Sequence, residues 1–474
     1  MARLDFKFSF GKEVNSDFHV ICVKKDQWQS QLDQELKDLA TKYAFEGKEG
    51  QKFLHQTKDK ARLVIACGEN FLKTGRIIYT LTKDFPYNAH ISLICHGFEK
   101  HEIQDIVIGL KLQAYEFMSY KTVFEESYKK RQNAFHIVSD LDIAGDVMNY
   151  DPVIDGVMFT KDLSNEPANM LYPETLAEQI KEKLKGLPIT VKILDVPAME
   201  KLGMGGILAV GRGSIRPPRM IILEYKGGPI NEPSLAFVGK AVTFDTGGIS
   251  IKPSASMEDM KHDMTGGATV AGLFYALAKR GAKVNVIGVI GAAENMADGD
   301  AYRPSDIVKT ASGKTIEVLN TDAEGRVVLS DALWYASNYK PKLIIDLATL
   351  TGAITVGLSS IFAGIFTESD ALAARLSEAA EAVGEPVWRM PLHKSFTKAI
   401  KSKIADVRNT STIKGGGSST AAAFLREFVP KEIDWCHMDI AGVAYGITSD
   451  HLDKEGASGF GVRLLDAFVR EYEK

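Results

Sequence analysis

Four apolar runs in the C-terminal two thirds of the chain are continuous rather than alternating: Arg219–Tyr225, Leu235–Val238, Val284–Ile290 and Leu343–Leu347. A strand that is apolar on both faces has to be covered on both faces. Stretches with helical periodicity, Met264–Lys279 and Val328–Tyr339, are spaced among the runs and can supply that cover. The pattern predicts an α/β/α layering around a largely parallel central mixed sheet. Sheets of this kind place their sites at the carboxyl ends of the strands.

With 474 residues the chain is too long for one core at about 100–200 residues per domain. Ahead of the parallel-sheet region, the runs Phe18–Val23, Arg62–Cys67, Gly75–Thr80 and His90–Cys95 are predicted as strands. Polar helical stretches alternate with them, which predicts a second α/β domain. Gly145, Asn149, Asp151 and Pro152 place a boundary near 145–155. The expected division is therefore an N-terminal α/β domain, 1–150, and a C-terminal domain, 151–474.

Charge excludes little but directs attention. Residues 1–150 hold 21 Lys and Arg against 21 Asp and Glu, and the whole chain has a net charge of −4. No basic arm invites nucleic acid or an anionic membrane. The four cysteines, Cys22, Cys67, Cys95 and Cys436, show no metal or disulfide spacing and are expected as reduced, buried thiols. Met1–Lys7 lacks an apolar leader, and no stretch approaches the roughly 20 apolar residues of a membrane span. A soluble cytoplasmic protein is expected.

The chemistry concentrates in Asn320-Thr321-Asp322-Ala323-Glu324-Gly325-Arg326. On an extended segment Asp322 and Glu324 would point to one side and could share metal ions, and Arg326 could hold an anion beside them. Upstream, Gly239-Lys240 invites a phosphate-loop reading. The upstream Gly and the following Ser/Thr that such a loop requires are missing.

The heptapeptide resembles the signature of the leucine aminopeptidase family, dinuclear zinc exopeptidases with a lysine ligand (peptidase family M17). The resemblance extends over roughly 160–470, and it implies a macro-like layout for the N-terminal domain and a catalytic C-terminal one. Lys240 and Asp245, in Gly239-Lys240-Ala241-Val242-Thr243-Phe244-Asp245, match two metal ligands, and Asp263, in Met260-Lys261-His262-Asp263, matches a third. With Asp322 and Glu324 these would hold two divalent ions, Zn²⁺ or Mn²⁺, with Co²⁺ or Mg²⁺ also suited to such donors. Four carboxylates so gathered would repel one another unless neutralised. Two divalent cations balance them if Lys240 is neutral, as a nitrogen ligand must be.

The family's remaining roles fall on named residues. Lys252 would stay charged and polarise the reacting carbonyl. Arg326 would bind a bicarbonate ion that serves as the base. Met260, Thr349, Gly352 and Ala441 match the pocket for the first side chain, favouring Leu or Met, and the backbone of Leu350 would bond the substrate amide. Water activated between two metals would attack the peptide carbonyl. The family also implies peptide substrates and a homohexamer. His262, His437 and Asp439 look like ligands in isolation, but the family uses none of them. Three departures are small for small: Ala241 and Thr246 stand where Gly and Ser are usual, and Gly267 where Ala is common. Two other functions stay open on the residues, a two-metal phosphoesterase and a DNA-binding protein. The latter would need a basic surface that residues 1–150 do not offer.

Overall fold

In a computed structural model of the protein, residues 7–12, 16–58, 60–83, 85, 89–123, 134–446 and 456–473 are described. The N-terminal residues 1–6 lie outside them. The chain divides into two compact units, Met1–Ile154 and Asp155–Lys474. The division falls inside the helix Ala144–Asn165 rather than at a turn. Gly145, Asn149, Asp151 and Pro152 are all helical. Pro152 forfeits an intrahelical bond, but Val153, Val157 and Leu163 beyond it are buried, and that burial overrides the local turn preference.

The first unit holds β1 (Lys7–Gly11), β2 (Phe18–Lys24), β3 (Lys52–Gln56), β4 (Ala61–Cys67), β5 (His90–Ile94) and β6 (Ala134–Val138). They form one sheet in the order β1-β6-β5-β2-β4-β3, parallel except at the β3 edge. Gly75–Thr80, expected as a strand, lies instead in the helix Phe71–Thr82. Its β-branched and aromatic residues suggested a strand, but Gly75, Ile78, Tyr79 and Thr82 are buried at helical spacing. Gly75 is there for a close crossing: a Cβ on it would lie 1.9 Å from the Ile106 carbonyl oxygen of the helix Lys100–Gln113.

The second unit contains β7 (Ile189–Leu194), β8 (Arg219–Lys226), β9 (Leu235–Asp245), β10 (Asn285–Asn295), β11 (Ile307–Lys309), β12 (Thr315–Glu317), β13 (Leu343–Ala348), β14 (Ala363–Phe366), β15 (Val387–Arg389), β16 (Val407–Arg408) and β17 (Asp434–Asp439). Eight of them form a mixed sheet in the order β15-β14-β17-β13-β9-β10-β8-β7, whose central strands β17, β13, β9 and β10 run parallel. A small sheet, β11-β12-β16, stands apart from it. Successive β9 residues feed opposite cores: Leu235, Phe237 and Ala241 pack into one, Ala236, Val238 and Val242 into the other. This is the two-sided burial that the continuous apolar runs demanded. The four cysteines are buried and unpaired. Among the described residues no helix is long and apolar enough to cross a membrane.

Candidate metal centre

The parallel strands deliver their polar residues to one end of the sheet. β9 does not stop after Val238 but continues through Lys240 to Asp245. The two lie five positions apart, which in a regular strand would put their side chains on opposite faces. The register against β10 shifts between Val242↔Ala293 and Asp245↔Asn295, so β9 carries one extra residue there. This bulge restores the parity and lets both side chains reach the same cleft. Gly247 and Gly248 follow with φ of 84° and 62°, a left-handed turn suited to glycine, and Gly247 N–H donates to Asp245 Oδ1 at 2.9 Å.

The heptapeptide is not extended. Asp322 lies in a turn closed by its N–H on Asn320 Oδ1 at 2.9 Å. Glu324 opens the helix Glu324–Ser337, four residues earlier than the periodicity predicted. Glu324 therefore sits where the helix dipole favours negative charge. Gly325 is required because a Cβ there would lie 2.5 Å from Lys240 Cε. Asp263 follows the short helix Met257–His262, just ahead of the helix Thr265–Arg280.

Lys240, Asp245, Lys252, Met260, Asp263, Asp322, Glu324, Arg326, Thr349, Leu350, Gly352 and Ala441 all line a single cleft of about 580 Å³. Lys240 Nζ stands 2.8 Å from both Asp263 Oδ1 and Glu324 Oε1 and donates to the Thr349 carbonyl at 3.0 Å. Lys252 Nζ pairs with Asp245 Oδ2 at 2.8 Å and also with Asp322. Burial opposes the charge on each lysine, but the surrounding carboxylates outweigh it and hold both ammoniums above the ordinary lysine range. Lys240 is thus an ammonium in this arrangement, whereas a ligand lysine must be neutral. Burial pushes the Asp263, Asp322 and Glu324 carboxyls up. Two lysines balance only half of the four carboxylates.

The donor set fits a divalent cation. Asp245, Asp322 and Glu324 offer ligand atoms within 4.8 Å of one another, and Asp263 Oδ2 is buried without a hydrogen-bond partner. Arg326 suits an anion. One of its Nη groups donates to the Asn409 carbonyl at 2.7 Å, while its buried Nε has no partner. Burial lowers the guanidinium to about 10.

His262 stays out of the ligand set. Its Nδ1 engages the Asp259 carbonyl, and its ring stacks on Tyr445 at 4.6 Å. His437 pairs with Asp346 at 2.6 Å in the core. Sequence reasoning gave no role to two residues that hold the site together. Asn295 Nδ2 donates to Asp245 Oδ1 at 2.7 Å and to the Thr321 carbonyl at 3.0 Å, cross-linking the end of β9 to the heptapeptide. Asn409 accepts from Leu319 N–H at 2.8 Å and donates to the Asn320 carbonyl at 2.6 Å. Asn295 closes β10, five residues past the apolar run Val284–Ile290 that marks the strand in the sequence. Nothing near Asn409 marks it. At the edge of the cleft Gly415 and Gly416 form a loop, and Gly417 opens a helix.

Residues 158–466 match the cytosol aminopeptidase family, catalytic domain. This chain belongs to the cytosol aminopeptidase family. A probable cytosol aminopeptidase of Bradyrhizobium sp. is 51% identical over 78% of this chain and 74% of its own length. One from Rhizobium meliloti is 51% identical over 77% and 74%. Among solved structures, a tomato leucine aminopeptidase mutant superposes with a TM-score of 0.87 at 32% identity, covering 99% of this chain and 97% of that one. The bottromycin maturation enzyme BotP in complex with Mn gives a TM-score of 0.85 at 29% identity, over 97% and 100%. The two-domain α/β fold is thus that of known cytosol aminopeptidases.

Proposed function

We propose that this chain is a metal-dependent aminopeptidase that removes N-terminal residues, Leu and Met above others, from peptides. The observation that supports this most is the convergence of four carboxylates, two lysines and one arginine on one cleft with an apolar-lined side. Lys240, Asp245, Asp263, Asp322 and Glu324 would hold two divalent ions, Zn²⁺ or Mn²⁺. Such ions supply Lewis acidity and lower the pKa of water.

The chain's own groups do the rest. Lys252, its side chain 21% exposed, stays cationic and can donate to the substrate carbonyl as negative charge develops on its oxygen. Arg326 keeps a buried donor for bicarbonate, which would accept the proton from the attacking water. Met260 and Ala441 offer an apolar wall, while Thr349, Leu350 and Gly352 offer backbone. One methylene changes such a preference by about 1–3 kcal/mol, so Leu and Met would exceed Ala and Val without excluding them. A cytoplasmic homohexamer is proposed on the family resemblance, and native mass spectrometry reads its mass.

The test couples metal analysis to hydrolysis of paired peptides, one with a free N-terminus and one acetylated. Activity that follows bound metal and is confined to the free peptide supports the proposal. Equal cleavage of both would overturn the exopeptidase reading, and full activity after exhaustive chelation would overturn the metal dependence.

A further inference from the structure

Asp439 is buried at the end of β17, in register with Ala348 of β13. Its Oδ1 accepts the backbone N–H of Leu350 at 3.1 Å and of Ala441 at 3.3 Å. Its Oδ2 accepts the Thr351 hydroxyl at 2.6 Å. One carboxylate therefore ties together two segments that line the cleft. The same turn is fixed from its other side. The Thr349 carbonyl accepts from Lys240 at 3.0 Å, and the Thr349 hydroxyl donates to Asp263 Oδ1 at 2.8 Å. The turn 349–352 is thus pinned between Asp439 and two of the residues assigned to the metals.

This pinning decides what Leu350 can offer. Its N–H is taken by Asp439, so only its carbonyl is left for a substrate. Among the described residues no group donates to that carbonyl. A peptide lying along the turn can satisfy it with a backbone amide N–H. We propose that Asp439 is a positioning residue. By holding the Leu350 N–H on one side and the Thr351 hydroxyl on the other, it fixes the Leu350–Thr351 peptide group and so presents the Leu350 carbonyl as the acceptor for the N–H of the scissile amide. The proposal rests on the aminopeptidase reading. A loosened turn would let the Leu350–Thr351 peptide plane rotate and remove the acceptor while leaving the carboxylates and lysines in place.

Two substrates with the same leucyl group separate this role from general support of the fold. One is a leucyl peptide. The other is a leucine ester, which has oxygen where the scissile N–H would be. Asp439→Ala should lower kcat/KM for the peptide about tenfold more than for the ester, since only the peptide loses a hydrogen bond. Asp439→Asn keeps an oxygen toward Leu350 and Ala441 and should recover most of the peptide rate. Equal losses on both substrates, or no loss on either, would overturn the proposal. If the alanine variant does not fold, Asp439→Ser, too short to reach the Leu350 N–H, is compared on the same pair. A wild-type enzyme that cleaves neither substrate would instead sink the aminopeptidase reading.

Discussion

At the residue scale the site depends on acids that gain from one another only when their charge is balanced. Glu324 is buried and lies 2.8 Å from Lys240. Glu324→Ala should abolish peptidase activity and reduce bound metal by at least one ion per chain, read by elemental analysis of the dialysed protein. Near-normal turnover would refute its assignment as a ligand. Asn295 makes a subtler prediction, because it touches a ligand without being one. Both N–H groups of its amide are used, one on Asp245 and one on Thr321. Groups that orient metal ligands typically contribute about 10–100-fold in affinity. Asn295→Ala should weaken metal binding by that order in a chelator competition, with the fold intact by circular dichroism. Unchanged affinity would mean that Asp245 holds its orientation through Gly247 and Lys252 without Asn295. The acids and lysines were legible because their chemistry is written in residue types at fixed spacing. Asn295 and Asn409 were not, because an amide's role is set by the partners the fold supplies.

At the element scale, β9 and the helix Thr265–Arg280 approach so closely that single methyl groups decide their fit. A Cβ on Gly267 would lie 2.8 Å from the Ala241 methyl and 2.6 Å from Ile290 Cγ2. Two of the three departures from the family pattern, Ala241 and Gly267, are therefore one reciprocal change: the methyl group sits on the strand and is absent from the helix. Gly267→Ala alone should destabilise the protein by about 1–3 kcal/mol through overpacking. Adding Ala241→Gly should recover much of that loss, giving a coupling of roughly 0.5–3 kcal/mol between touching residues. Denaturant titrations of the four proteins in the cycle measure it, and additive effects would show that the two positions do not share space. Sequence periodicity located both elements but not their ends. β9 runs on to Asp245 because its polar residues are buried by the cleft rather than exposed, and a polarity pattern reads them as the end of a strand. The helix at Glu324 starts early for a related reason. Its first turn is buried, so Glu324 and Arg326 broke the apolar pattern that marks the rest of the helix.

At the scale of the whole molecule the charge is concentrated rather than spread. The net charge is only −4, yet four carboxylates converge on one cleft. The parallel-sheet architecture was legible because doubly buried strands have to be continuously apolar. The chain divides between Ile154 and Asp155, within the stretch 145–155, but the turn-forming residues there are absorbed into a helix whose buried face outweighs them. The uneven charge makes a prediction about where stability resides. A ligand that binds only the native state stabilises it by RT ln(1 + [L]/Kd), about 4 kcal/mol when present at 1,000 times its Kd. Metal added to the stripped protein should therefore raise its melting temperature. The gain should appear as slower amide hydrogen exchange in 240–247, 263–266 and 320–326, segments that all bear proposed ligands. Strands β2, β4 and β5 lie in the other compact unit and bear none, so local openings of their amides should exchange at the same rate with and without metal. Uniform protection across both units would show that metal acts on global unfolding of the whole chain, and an unchanged melting temperature would mean that these carboxylates do not hold a native-state metal.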